Sequence, residues 1–240
     1  FDYFIDDFIL LFGTLFLKYL KPWRKSAAFV FVLLQIKTVN EVNEMILDLL
    51  KKRCSVRAFT DTAIPDPIID YILECGRLSP SGGNEQPWKF GVITNKVLIE
   101  RIADMTYYNK AWIIKAPLLI VLCTQLFPGG GKGTMSSERF PSLANEIDKA
   151  DEKLHVYLDM EEHQTKIPGT HMVLAAMEHG IGSTWISYLN CEGVSCILGM
   201  DGYIASQILA FGYPAGEMVP IPKKKLEDIV FYNYYKQEDI

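Results

Sequence analysis

The sequence has little of what many specialised folds require. Its five cysteines, Cys54, Cys75, Cys123, Cys191 and Cys196, include no C-x-x-C pair. An odd count at such spacings argues against a disulfide framework or a zinc site and for reduced thiols. Positive charge is not in excess: 24 Lys and Arg stand against 29 Asp and Glu, a formal net charge of −5, so the basic footprint of a nucleic-acid binder is missing. The two apolar stretches near the start, Phe8–Leu17 and Ala27–Ile36, are separated by Lys18, Lys21, Pro22, Arg24 and Lys25, and each falls short of the roughly 20 residues a bilayer-spanning helix needs. Neither phosphate-loop signature is complete. In the glycine-rich segment 128–134, Lys132 is followed by Gly133 where a P-loop has Ser or Thr, and Gly180-Ile181-Gly182 lacks the third glycine of a dinucleotide fingerprint. His155, His163, His171 and His179 are spaced eight apart, about 12 Å per step on a helix, too far to share one metal ion. No metal is expected.

What is present is an ordinary globular composition, 49% hydrophobic and 22% charged over 240 residues, enough for one substantial domain. Residues 1–44 stand apart. Asp2, Asp6 and Asp7 precede the first apolar run, the reverse of a signal peptide's charge order. Two readings of this segment remain: an interfacial hydrophobic anchor whose basic residues suit a membrane surface, or sequence upstream of the functional protein. The second is expected, because the first methionine, Met45, opens a regular helical pattern. The functional domain is therefore read as 45–240, located in the cytoplasm, with no membrane partner.

From Met45 onward the periodicities resolve into elements. Met45 to Arg53 is expected to be a helix with a basic last turn. Asp66 and Pro67 form an N-cap and N1 pair opening a helix to Leu78. Ser79–Pro87 is a loop. Trp88–Thr94 is a strand, Val97–Met105 a helix, and the continuous apolar run Pro117–Cys123 a buried strand. The 128–134 segment is a flexible loop and 142–164 a charged helical stretch. Pro168 and Gly169 are expected to break it, with a new helix over Thr170–His179. Ser206–Tyr213 is another strand. The strands are too few for a β-α-β rhythm, so the fold class is α+β in one domain.

Three segments carry chemistry. Arg53-Cys54-Ser55-Val56-Arg57 places cations and a hydroxyl at a helix end, a set suited to a phosphate monoester. Ser79-Pro80-Ser81-Gly82-Gly83-Asn84-Glu85-Gln86-Pro87-Trp88 puts a hydroxyl and two amides on a proline-stiffened loop, where groups that both donate and accept suit a heteroaromatic ring edge. Gly180 to Ser187, followed by Phe211-Gly-Tyr-Pro214 and Lys223-Lys-Lys225, offers small residues for close backbone approach and a late basic cluster.

In that order, R-x-S-x-R, P-S-x-x-N-x-Q-P-W, a helix ending in G-I-G-S-x-W-I, G-Y-P and a basic pair, the sequence resembles the nitroreductase family of flavoenzymes over about 45–235. The resemblance implies a central mixed or antiparallel sheet flanked by helices and a homodimer with FMN at the interface. It assigns Arg53, Lys223 and Lys225 to the phosphate, and Ser55 and Arg57 to the ribityl chain and the N1/O2 ring edge. It draws Pro80, Ser81 and Asn84 from the partner subunit, has Gln86 support their loop, and brings Ile186 and Ser187 to the N5 side. Cys54, inside the binding segment, and the 128–168 insert depart from the family pattern. The implied activity is hydride transfer from NAD(P)H through FMN to a nitroaromatic, a quinone or a similar flat acceptor, with no side-chain acid or base required. A reductive dehalogenase or specialised dehydrogenase of the same family is the competing enzyme. A flavin-storage protein without turnover is the non-catalytic alternative, separable by NADH oxidation with and without a nitroaromatic. Residues 45–240 expressed alone are expected to keep flavin, dimer and NAD(P)H oxidation. A short form that is insoluble or flavin-free, beside a well-behaved full chain, would revive the anchor reading.

Overall fold

The apolar run read as a buried strand lies in the middle of the sheet in the computed structural model, which describes residues 46–126, 142, 145, 149, 162–233 and 235. The expectations for residues 1–45, for the glycine-rich 128–134 segment, for most of the charged stretch before 162 and for His155 lie outside the described residues. Residues 46–50 are helical and belong to a separate unit ending at Leu50; Lys51–Ile240 forms one compact unit.

Within that unit, β2 (Leu118–Gln125) pairs with β1 (Trp88–Ile93) on one side and β4 (Tyr203–Gly212) on the other, and β3 (Gly182–Ile186) closes the order β1-β2-β4-β3. All three pairings are antiparallel, so the expected mixed or antiparallel sheet resolves to the antiparallel form. Successive side chains of a strand face opposite sides of the sheet, and β2 is apolar on both. Leu119, Val121 and Cys123 enter one core, and Leu118, Ile120 and Leu122 enter the other.

Helices cover both faces. The first core takes Ile99, Ile102 and Ala103 from α2 (Lys96–Ala103), Ile113 from α3 (Lys110–Ile113) and Val194 from α5 (Cys191–Ile197). The second takes Ile69 and Ile72 from α1 (Asp66–Arg77), and Met172, Val173 and Ala176 from α4 (Glu162–Glu178). Between β2 and β4 the register shifts at Leu122/Cys123, leaving Ser206 as the extra residue. Its buried hydroxyl donates to the Leu122 carbonyl at 3.0 Å and accepts from Thr124 Oγ1 at 3.1 Å. Thr165 of α4 lies 3.2 Å away, so the bulge carries a buried polar knot.

Several expectations need correction. Pro168 and Gly169 do not break the chain; α4 runs through both as 17 residues. An internal proline costs a helix about 3 kcal/mol, and burial opposes that cost here. Both residues are buried, and a side chain at Gly169 would collide with Trp185 and Leu122, so the helix lies directly on the sheet there. Asp66 is the first residue of α1 and not its cap, which is Pro65. Asn95, unread as a cap, accepts from the Leu98 N–H at 3.1 Å and starts α2. The short helices α3 and α5 were not anticipated, and β4 begins three residues before the expected Ser206. The loop after α1 contains a 3-10 turn over Gly82–Asn84.

Burial pushes the Cys123 thiol from its ordinary 9.0 up to about 12, because the thiolate is poorly solvated inside the core. The native thiol then stays neutral where an unfolded one would ionise, so its contribution to stability is complete below about pH 9 and declines as pH rises toward 12. Alkylation by iodoacetamide at pH 8, read by mass spectrometry, is expected to modify exposed Cys196 and to spare Cys123 until the protein is unfolded.

Candidate functional site

The Arg53–Arg57 segment is extended and lies along the outer edge of β3. Ser55 bridges Ser183 in parallel, and the Val56 N–H donates to the Ser183 carbonyl at 2.9 Å. Further on, the Thr60 N–H donates to the Tyr213 carbonyl at 2.8 Å and the Ala215 N–H to the Ala58 carbonyl at 3.0 Å. The stretch 53–60 is thereby stitched to both β3 and the chain leaving β4. The alternation of an extended segment sorts its side chains. Val56 is buried in the first core and Cys54 packs against it half-buried. Arg53, Ser55 and Arg57 occupy the alternate positions, with Arg53 and Ser55 half-buried and Arg57 exposed.

Two glycines make this approach possible. A Cβ on Gly182 would stand 2.6 Å from Val56 Cγ2, and one on Gly212 would stand 2.7 Å from Phe59 Cδ1. Both distances are shorter than any real packing contact.

The 79–87 loop is held elsewhere, against α4. Ser79 Oγ and His171 Nδ1 are 2.7 Å apart, and the Gly82 N–H donates to Gln164 Oε1 at 2.9 Å. Inside the loop the Gln86 N–H donates to Ser81 Oγ at 2.9 Å, and Gln86 Nε2 donates to Asn84 Oδ1 at 3.2 Å. Asn84 and Gln86 both sit at left-handed φ, 57° and 49°. Asn tolerates that region, whereas Gln86 is strained there, a conformation retained only where surroundings impose it. Pro80 and Asn84 are exposed and Ser81 half-buried.

At the end of β3, Ile186 is buried and Ser187 is exposed. Lys223 and Lys225 lie on the exposed stretch after β4, where Lys225 pairs with Glu227 at 3.1 Å. Among the described residues, no ion pair engages Arg53, Arg57 or Lys223. The structure thus joins two of the three predicted segments, 53–57 and 182–187, directly, and ties the third to α4. A cavity of about 420 Å³ opens elsewhere, between the 61–69 stretch, the start of α2 and residues 114–118, and none of the predicted residues lines it. Of the histidines, His171 serves the loop contact and His179 packs edge-on to Tyr71 at 5.0 Å. Among the described residues no cluster of His, Cys, Asp and Glu is placed to hold a metal ion, and no helix is long and apolar enough to cross a membrane.

The profile of the Nitroreductase family matches residues 50–213, which span the 53–57 segment, the 79–87 loop and all four strands. The chain belongs to the nitroreductase family. It is similar to an NADH dehydrogenase of Thermus thermophilus, 25% identical over 199 residues that cover 75% of this chain and 92% of that protein. A shorter stretch of 66 residues, 26% of this chain and 31% of the relative, is 44% identical to an oxygen-insensitive NADPH nitroreductase of Helicobacter acinonychis. Among solved structures, a nitroreductase family protein from Streptococcus pneumoniae superposes with a TM-score of 0.62 at 25% identity, covering 78% of this chain and 98% of that one. This nitroreductase-family chain is accordingly an oxidoreductase, and its antiparallel sheet with helices on both faces is the family's fold.

Gly182→Ala is expected to destabilise the domain by about 1–3 kcal/mol, the range for overpacking a filled core. Adding Val56→Ala should recover part of the loss by vacating the space the new methyl needs. Chemical denaturation of the single and double variants checks both; a Gly182→Ala midpoint equal to wild type would show that the 53–57 segment is not held where the structure puts it.

Proposed function

We propose that the protein is an FMN-dependent oxidoreductase that takes hydride from NAD(P)H and reduces a nitroaromatic, a quinone or a similar flat acceptor. The observation that carries this reading is the extended 53–57 segment, whose Arg53, Ser55 and Arg57 share one face beside the β3 edge while Cys54 and Val56 are turned to the core. Two cations with no carboxylate partner among the described residues and a hydroxyl, on rigid backbone, are a donor set that fits a phosphate monoester and an electron-rich ring edge.

In this reading Arg53, Lys223 and Lys225 hold the phosphate, and Ser55 and Arg57 reach the ribityl chain and the N1/O2 edge. Ile186 and Ser187 lie toward N5. Pro80, Ser81 and Asn84 of the partner subunit complete the site of a homodimer. When bound, FMN supplies the redox chemistry, accepting hydride from the nicotinamide and passing it on. The protein's own part is to bind, orient and tune. The Arg57 guanidinium places fixed positive charge where negative charge develops on the ring, a preorganised stabilisation. The strained 84–86 backbone holds amides in fixed directions.

Support for the dimer comes from the stretch after β4. Val219, Ile221, Leu226, Ile229, Phe231, Tyr232 and Tyr235 are all exposed, and large apolar side chains left open together suit a surface that another subunit covers.

Purified protein is expected to be yellow with non-covalent FMN and dimeric by mass. Arg53→Ala should weaken FMN binding by about 1.5–3 kcal/mol, the worth of a charge-assisted bond. Lys132→Ala, outside the described residues, serves as the control and should leave affinity unchanged. Fluorescence titration of FMN into the flavin-stripped variants reads both; equal affinities would show that the phosphate is held elsewhere.

A further inference from the structure

The cavity of about 420 Å³ lies outside the cofactor segments, and the fold explains where it opens. Leu119–Ile93 is the last rung of the β1–β2 ladder at that end, and Leu118–Phe211 the last of the β2–β4 ladder. Up to those rungs the sheet fills the space between the two helix layers. Past them the layers part, and the cavity lies in the gap. Its floor accordingly draws on both cores: Ile64, Ile69 and Leu118 belong to the second, Ile99 and Ala116 to the first. All five are buried, whereas every polar side chain that lines the cavity is exposed.

The walls are held by backbone bonds on all three sides. The Ile69 N–H donates to the Pro65 carbonyl at 3.2 Å, the Ile99 N–H to the Asn95 carbonyl at 2.9 Å, and the Ala116 N–H to the Ile113 carbonyl at 2.9 Å. The Asn95 cap fixes the start of α2 as well. A cavity whose walls are set in advance loses little ordering entropy when a ligand enters, and this one is within the size range of small-molecule sites.

The mouth is charged in both senses. Asp61, Lys96, Glu100 and Lys115 line it, two of each sign, and among the described residues no ion pair engages any of the four. The aliphatic floor takes a ligand body without polar groups, since a polar atom buried there would find no side chain to bond. It holds no aromatic residue on which a flat ring would stack. The mouth suits a head that carries both charges. We infer that this cavity binds a small zwitterion with a branched aliphatic body, the chemistry of an apolar α-amino acid. The body lies on Ile64, Ile69, Ile99 and Leu118, the carboxylate meets Lys96 and Lys115, and the ammonium meets Asp61 and Glu100. None of the residues proposed to hold FMN lines the cavity, so the site goes beyond the cofactor reading and does not depend on it.

The test titrates the full-length protein as purified with L-leucine and follows backbone amide shifts by nuclear magnetic resonance. Shifts are expected to centre on Ile64, Ile99 and Leu118, with a Kd in the millimolar range or tighter. Isocaproate, which lacks the ammonium, and isopentylamine, which lacks the carboxylate, should each bind about threefold to fivefold more weakly, as the loss of one exposed charge contact implies. Lys96→Gln combined with Lys115→Gln should weaken L-leucine and isocaproate and leave isopentylamine unchanged. Asp61→Asn should weaken L-leucine and isopentylamine and leave isocaproate unchanged. General loss of structure cannot produce that crossed pattern. Millimolar L-leucine that moves no shift, shifts centred on the 53–57 segment or the 79–87 loop, an analogue that binds as tightly as L-leucine, or charge variants that treat all three ligands alike would each overturn the site. Flavin content enters none of these outcomes, so a colourless protein would sink the FMN reading and leave this one to its own result.

Discussion

Gly182 and Gly212 are register partners across β3 and β4, and each marks a spot where another part of the chain comes closer than any side chain would allow. Val56 fills the space over Gly182, and Phe59 with Pro117 fills that over Gly212. Because both glycines lie on one rung of the ladder, the 53–60 segment can settle across two strands at once, inserting Val56 and Phe59 into the core beneath the sheet's edge. The placement proposed for Arg53, Ser55 and Arg57 follows from this seating. It turns Cys54 inward, places Arg53, Ser55 and Arg57 at the alternate positions, and sets them beside the strand that ends in Ser187.

The sheet supplies the stiffness that this seating needs. β2 is buried on both faces and has antiparallel neighbours on both sides, so its six core residues are locked from four directions. The bulge at Ser206 interrupts the ladder once, and its hydroxyl knot with Thr124 and Thr165 holds α4 to the sheet through buried polar contacts. On the same helix, His171 and Gln164 hold the 79–87 loop. A single helix therefore couples the sheet to the loop expected to serve the opposite subunit. The Tyr71 hydroxyl donates to Glu178 at 2.6 Å, closing the far end of the same α1–α4 pair.

The Pro117–Cys123 run was legible because a strand buried on both faces has no polar side to interrupt it. The α1 stripe was legible because Ile69 and Ile72 repeat at helical spacing on one buried face. Helix α5 was not: Cys191–Ile197 is short, holds Gly193 and has little periodic signal, although Asn190, whose side chain accepts from the Gly193 N–H at 2.8 Å, was a cap in plain view. Pro168 was misread because local propensity counts the missing N–H and cannot count the sheet packed against that turn.

For the candidate site the division is similar. The residue types, their order and their spacing, R-x-S-x-R before P-S-x-x-N-x-Q-P-W before G-I-G-S-x-W-I, are properties of the linear chain, and they were sufficient to point to the family. Which segments meet was decided by tertiary structure. The parallel bridge between Ser55 and Ser183 spans well over a hundred residues, and nothing local in either segment encodes the other as its partner. A cluster of three tyrosines is the clearest case. Tyr107 and Tyr108 lie about eighty positions from Tyr188, no period or motif links them, and the rings meet because the Asn190–Met105 clasp and the packing of Met105 on α5 join the two loops. Sequence by itself determined composition, local periodicity and the chemical character of each segment, because these depend on near neighbours. Proximity between distant segments depends on how two buried faces pack on one sheet, and that is settled only when the whole domain folds.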